Sequence, residues 1–407
     1  LASVGAARLH SRHWETMVNG AVLLVLVAAG SVCGARPRTP DALPYNLVLG
    51  TQTFGSAYQF TDQPLLAETA DAIWDLGSTI IKFKLDRDYA KGKGANVRER
   101  RADIDSLTTL CRDEPTHRRV LDMPFRDYVL WAYTFSGGWW AKGYAPADAA
   151  KERAELYEFV AWLLRTYSGT GKRFYLGHWE GDWYLRPGYN TKDDEVVRPE
   201  AVAGMIDWLN TRQDAIDAAK RDTPHEGVEV YGYTEVNLVK LAMADRPSVT
   251  RDVLPKTRID YVSYSSYDTQ DTADGLRAAL DHIESKLPPK PGLTGRRVFI
   301  GEYGFPTERF TPAEQDRRAR AVMRTGLAWG CPFVLYWEMY NNEVKDGKQR
   351  GFWLIDDQGV KQPAYLTHER YYAWARGWLA EQQAKLGRAP DEAAFRAAAV
   401  AWLDRNG

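Results

Sequence analysis

The stretch RRVFIGEYGFP, Arg296 to Pro306, decides how this 407-residue chain is read. Val298, Phe299 and Ile300 are a short apolar run between two arginines and a Gly/Pro-bearing loop, the pattern of a fully buried strand. Glu302 follows, where strand is expected to give way to loop. A second stretch, KRFYLGHWEGDW from Lys172 to Trp183, repeats the design: an apolar strand, Glu180 at its end, then a glycine. In a barrel of parallel strands, residues at the carboxyl ends of different strands converge on one mouth.

Working outward from these two strands, apolar runs and amphipathic stripes alternate along the chain. Strands are predicted at 45–50, 78–85, 128–135, 228–233, 259–264 and 332–338, besides the two that carry the glutamates. Helical spacing links them. Leu65, Leu66, Thr69, Ala70, Ile73 and Trp74 share one face, with Gly77 placed as a C-cap. Leu156, Phe159, Val160, Leu163 and Leu164 share another. Pro199 opens a helix, and Thr311, Pro312 and Glu314 form a capping box with proline in the first turn. A last barrel helix is expected from about His368 to Gln383. Eight strands with intervening helices predict an α/β fold, a single (β/α)8 barrel over residues 45–385. Residues 386–407 are expected to add a C-terminal helical tail.

The first 44 residues read differently. Ala21 to Gly30 is an uninterrupted apolar run of ten residues, too short to span a bilayer. Arg8, His10, Arg12 and His13 precede it, and Ser31, Gly34 and Ala35 follow. That layout predicts a signal peptide over 1–35, with Met17 as a candidate start, and hence a secreted or periplasmic protein. A membrane-anchored N-terminus is the competing reading. Residues 36–44 (RPRTPDALP) read as an extended linker.

Composition narrows the function classes. Lys plus Arg total 53 against 54 for Asp plus Glu, so no long-range field favours nucleic acid or an anionic membrane. Cys33, Cys111 and Cys331 show neither metal-ligand spacing nor a disulfide framework; after loss of Cys33, two separate buried thiols are expected, with a Cys111–Cys331 pair in an oxidising compartment as the alternative. No histidine has ligand spacing, and no Gly-rich phosphate loop follows the first strand, so neither a metal nor a nucleotide cofactor is expected. The 15 Trp and 22 Tyr are mostly core, yet flat indoles near polar loops also suit the apolar faces of sugar rings.

Two glutamates at one barrel mouth are the minimum equipment for glycoside hydrolysis. A retaining enzyme uses one carboxylate as nucleophile and another as acid/base, ~5–5.5 Å apart, against ~6.5–9.5 Å when water attacks directly. Glu302 is the expected nucleophile, with Tyr303 and Tyr267 as hydrogen-bond donors that keep it ionised. Glu180 is the expected acid/base, with Trp179 and Trp183 desolvating it.

Four features then resemble clan A of the retaining glycoside hydrolases, a (β/α)8-barrel superfamily. Glutamates end the fourth and seventh strands. DYVSYSSYD, Asp260 to Asp268, is similar to the clan's sixth-strand segment, which brings a tyrosine to the nucleophile. The eighth strand supplies Trp337. GFWLIDDQGVKQPAYL, Gly351 to Leu366, resembles the coda that leads into the last helix. The resemblance implies a carbohydrate substrate, and it covers roughly residues 45–372 without singling out a family. Where the clan carries Asn before its acid/base, this chain has Trp179. That leaves the usual 2-hydroxyl contact to His178, or to a substrate without a free equatorial hydroxyl there. Ser265 stands where many relatives carry histidine.

Trp337, Trp139, Trp140 and Trp183 are the stacking candidates. Lys82 and Lys84 alternate with Ile81 and Phe83, so one face of the second strand is basic and reaches either the mouth or a barrel carboxylate. Glu229 and Glu235 flank the predicted fifth strand and read as structural. Asp182 and Glu338 also sit at strand ends. Two other classes stay open: a carbohydrate-binding barrel without catalysis, and a lyase or aldolase using a strand-two lysine of depressed pKa.

Overall fold

Eight parallel strands close into a barrel in the computed structural model, which describes residues 43–91 and 96–406. They are β1 (Leu49–Gln52), β2 (Ile80–Leu85), β3 (Asp127–Ala132), β4 (Arg173–Gly177), β5 (Glu229–Val236), β6 (Tyr261–Ser265), β7 (Val298–Tyr303) and β8 (Val334–Tyr336). β8 returns to β1 through the Leu49–Val334, Gly50–Leu335 and Thr51–Tyr336 pairs, which leaves no sheet edge. The expected leader, and the linker as far as residue 42, lie outside the described residues.

The helices that cover the barrel are α1 (Leu65–Leu76), α2 (Leu107–Asp113), α3 (Pro115–Asp122), α4 (Pro146–Thr166), α5 (Gly181–Leu185), α6 (Pro199–Asp222), α7 (Val239–Met243), α8 (Ala273–Lys286), α9 (Pro312–Trp329) and α10 (Pro363–Leu386). The tail forms α11 (Glu392–Arg405). Local signals set several of these ends. Gly77 takes φ 107° after α1 and donates its N–H to the carbonyls of Ile73 and Trp74, a conformation a β-carbon would strain. Thr311 and Glu314 cap α9 reciprocally, with Pro312 in its first turn.

Alternation along the strands divides two cores. Ile80, Val129, Tyr175, Tyr233, Phe299 and Leu335 point into the barrel and pack together. Ile81, Leu130, Phe174, Val230, Ile300 and Val334 point outward beneath the helices. Burying each such side chain contributes roughly 1.5–3 kcal/mol, so either core alone outweighs any local propensity. Cys111 and Cys331 are separate, buried free thiols.

Several boundaries differ from expectation by two or three residues, as at the end of β3 and both ends of β8, and three more are notable. β1 begins at Leu49 because Val48, at φ 68°, interrupts the extended backbone before it. α10 begins at Pro363, a turn earlier than its apolar face suggests. β5 runs on to Val236, past its predicted end at Tyr233, and this last difference changes the site.

Candidate active site

Glu302 lies within β7, not beyond it. Strict alternation from the outward-facing Val298 and Ile300 would send Glu302 outward too. Between Ile300 and Tyr303, however, β7 holds one residue more than β8, and it slips against β6 so that Ser265 faces Glu302. This bulge turns Glu302 into the barrel and leaves Tyr303 outside, packed edge-on against Tyr336. Tyr303 is therefore not a partner of Glu302, contrary to expectation. Gly301 makes the turn feasible, since a β-carbon there would lie 1.8 Å from the Ser263 hydroxyl oxygen.

Lys82 waits inside. It belongs to the inward face of β2 with Ile80, and its ammonium is fully buried. It donates to Glu302 Oε1 at 3.1 Å, to the Gly301 carbonyl at 3.1 Å and to Glu235 Oε2 at 2.9 Å. Burial alone would lower its pKa, but the charges of Glu235 and Glu302 hold it above the ordinary lysine value. An amine held protonated is a poor Schiff-base nucleophile, which argues against Lys82 in the aldolase reading. Lys84 pairs with Asp86 at 2.9 Å.

Glu235 is the residue that sequence reasoning undervalued. The three further residues of β5 keep it on the inward parity of Tyr233, where it is fully buried. It accepts from Lys82, from Ser263 Oγ at 2.7 Å and, through Oε1, from the main-chain N–H of Glu180 at 3.1 Å. Glu229, at the other end of the strand, pairs with Lys220 at 3.0 Å on the outside.

Glu180 sits in the turn between β4 and α5. Trp183, one helical turn on, donates its indole N–H to Glu180 Oε2 at 2.7 Å. The turn itself is held by Asp182, which accepts from the main-chain N–H groups of Asn237, Leu238 and Val249 at 2.8–3.1 Å. Asp182 is thus a buried clasp between the β4 and β5 loops.

Glu180 and Glu302 line one cavity of about 1400 Å³. Burial raises both carboxyls, but their partners differ. Glu302 is raised to about 8: burial and the charge of Glu235 push it up, while the Lys82 ammonium and the Tyr267 hydroxyl, which donates to Oε2 at 3.4 Å, pull it back. Glu180 is pushed well up by burial and by the charges of Glu302 and Glu235, opposed by the Trp183 N–H and the more distant Lys82. Glu180 is the one that keeps a proton when Glu302 has lost its own.

The other sequence candidates divide. Tyr267, Trp179 and Trp337 line the cavity, and Trp337 stacks on Phe54 at 5.4 Å. Lys82 is beneath its floor. Trp183 does not line the cavity; it reaches the site through its bond to Glu180 and packs edge-on against Tyr189, which does line it. Trp139 does not line the cavity; it is 53% exposed and stacks on the buried Trp140 at 5.0 Å. His178 turns away, its ring nitrogens bonded to Thr234 Oγ1 and the Trp179 carbonyl at 2.8 and 2.7 Å. Burial pushes it down to about 4, so it is neutral and committed, and it makes no 2-hydroxyl contact. Glu338 is buried and accepts from the Asn342 N–H at 3.0 Å. Among the described residues, no cluster of His, Cys, Asp and Glu is placed to share a metal ion.

No protein-family model matches the chain, and no curated protein does. Solved structures do match, as a likeness of fold. A GH5_18 variant from Streptomyces cattleya in complex with Manb1-4GlcNAc superposes with a TM-score of 0.54 at 13% identity, over 81% of this chain and 80% of that one. A GH5_18 protein from Bifidobacterium longum subsp. infantis gives 0.53 at 12% identity, over 81% and 79%. A family 39 glycoside hydrolase from Bacteroides cellulosilyticus WH2 gives 0.46 at 12% identity over 80% of this chain, which spans 63% of its length. The neighbours are glycoside hydrolases of the clan A barrel type, in keeping with the sequence resemblance.

Proposed function

We propose that the chain is a retaining glycoside hydrolase acting on an oligo- or polysaccharide, with Glu302 as nucleophile and Glu180 as acid/base. One observation carries the assignment: two buried carboxylates share a cavity, and only one of them is held by a cation. Glu302, in contact with Lys82 and Tyr267, is the carboxylate suited to attack an anomeric carbon. Glu180, bonded to an indole N–H and free of a direct cation contact, is suited to protonate the departing oxygen. The proton leaves Glu180 as the glycosidic bond breaks. The resulting carboxylate then activates the water that hydrolyses the glycosyl ester on Glu302.

The glycoside hydrolases that share the fold support a carbohydrate substrate. Trp179 and Trp337 offer flat faces in the cavity for sugar rings. The apolar run of Ala21–Gly30 supports export to the periplasm or beyond.

The test is stereochemical. A panel of aryl β-glycosides and polysaccharides identifies a substrate, and proton NMR of the first product follows its anomeric configuration. Retention is expected. An initial product of inverted configuration would reassign Glu302 as a general base, and no cleavage across the panel would favour a barrel that binds carbohydrate without cutting it.

A further inference from the structure

Lys82 stands between two carboxylates, and only one of them, Glu302, lines the cavity. The other, Glu235, is sealed beneath the floor where no substrate reaches it. We propose that Glu235 is a positioning residue for both reacting carboxylates: through Lys82 it fixes Glu302, and through a main-chain N–H it fixes the turn that carries Glu180. The inference rests on the assignment of those two residues as the reacting pair.

The geometry goes beyond structural filling. Each Glu235 oxygen has its own task. Oε2 takes Lys82 Nζ and Ser263 Oγ, and Oε1 takes the Glu180 amide. One side chain from β5 thereby links β2, β4 and β6 at the level of the reaction. Charge accounting points the same way. With Glu180 protonated, Lys82, Glu235 and Glu302 sum to one negative charge, which resides on the attacking group. When Glu302 forms its glycosyl ester, the anomeric carbon gains its bond to Oε, the glycosidic C–O bond breaks, and the Glu180 proton goes to the leaving oxygen. Glu302 is then neutral, and the Lys82 ammonium is still balanced by Glu235. Without Glu235 that ammonium would be left in the barrel without a contacting carboxylate, which is costly.

The titratable groups facing the pair are Lys82 from β2, Tyr133 after β3, His178 after β4, Glu235 and Tyr233 from β5, Tyr267 after β6 and Tyr184 from α5. Glu338 and Glu343 act further out, on Tyr267. The β1, β3, β7 and β8 neighbours Gln52, Trp131, Gly301 and Trp337 do not titrate.

Carbon NMR of glutamate carboxyls in the full-length protein follows Glu302 and Glu180 directly, with or without a known substrate. In Glu235→Gln both midpoints should fall by about one pH unit, because a nearby negative charge is gone and Lys82 acts on Glu302 undivided. In Lys82→Met both should rise. The double variant Lys82→Met/Glu235→Gln leaves neither buried charge unpaired, and its Glu302 midpoint should return close to the parent's. If Glu235→Gln does not fold, the contrast between Lys82→Met and the double variant carries the same test. The bell of kcat/KM against pH should move with the midpoints. A Glu235→Gln protein that folds and keeps the parent's midpoints would overturn the proposal, as would a double variant that titrates like Lys82→Met. Midpoints that move as stated in a protein that cleaves no glycoside would support the positioning role while removing the hydrolase reading.

Discussion

Gly301 and Ser263 stand so close that a β-carbon on the glycine would lie 1.8 Å from the serine oxygen, with the serine's own β-carbon 3.0 Å away. The contact fills the inside of the β7 bulge. Gly301→Ala must therefore turn the Ser263 hydroxyl off Glu235, push β6 and β7 apart or undo the bulge, an overpacking that costs ~1–3 kcal/mol. Urea unfolding should show that loss, and activity should fall further because Glu302 owes its inward direction to the bulge. A variant as stable and as active as the parent would refute this account of β7.

The two glutamates should separate by chemistry. Glu302→Ala is expected to lose turnover, with azide or formate restoring a product of inverted configuration. In Glu180→Ala, a substrate whose leaving group needs no proton should still glycosylate Glu302, so the intermediate accumulates and azide releases a product of retained configuration. Swapped rescue products would reverse the roles, and two variants of near-parent activity would remove the assignment.

Trp183 donates its indole N–H to Glu180, and that bond favours the ionised carboxyl. Trp183→Phe should thus raise the Glu180 pKa, moving the alkaline limb of kcat/KM upward while the acid limb set by Glu302 stays in place. Movement of both limbs together would show that the indole acts on the whole site.

Lys172 lies at the opposite end of the barrel, where it donates to the Met123 and Phe125 carbonyls and to the Tyr128 hydroxyl. Burial pushes it down to about 7, partly opposed by Asp122, against an unfolded value of ~10.4. The sign follows. Above the unfolded value the amine is neutral in both states and costs nothing. As pH falls the unfolded chain takes up the proton first, and stability drains away until the folded pKa has been passed. Lys172→Met lacks this proton, so relative to the parent it should gain as pH falls from about 10 to 7, by a few kcal/mol at most. Denaturation midpoints across that range check it, and parallel curves for parent and variant would exclude the effect.

Export can be read at the N-terminus. Mass spectrometry of protein recovered outside the cytoplasm should find a chain that begins near Arg36. An intact N-terminus on cytoplasmic protein would set the leader reading aside.

Much of the site was legible because it is written locally. Glu180 and Glu302 could be picked out since each closes an apolar strand, and Lys82 since it alternates with Ile81 and Phe83. Glu235 was passed over because VEVYGYTEV has polar and aromatic residues at its end, so the predicted strand stopped three residues short. His178, adjacent to the pair in sequence, was expected to face the substrate, but Thr234 on β5 claims its ring.

By itself, the sequence determined the eight-strand order, the caps at Gly77 and Thr311, and the pair of glutamates at the ends of strands four and seven. These follow from periodicity and from capping residues a few positions apart, interactions that short stretches of chain specify. Tertiary structure alone decided which way Glu302 faces, that Tyr303 does not share the site, and that Glu235 does. The bulge at Gly301 is held by Lys82, 219 residues away, and by the fit of Ser263 on the neighbouring strand. A one-residue slip reverses every side chain beyond it. Its direction is set by contacts that exist only once the barrel has closed.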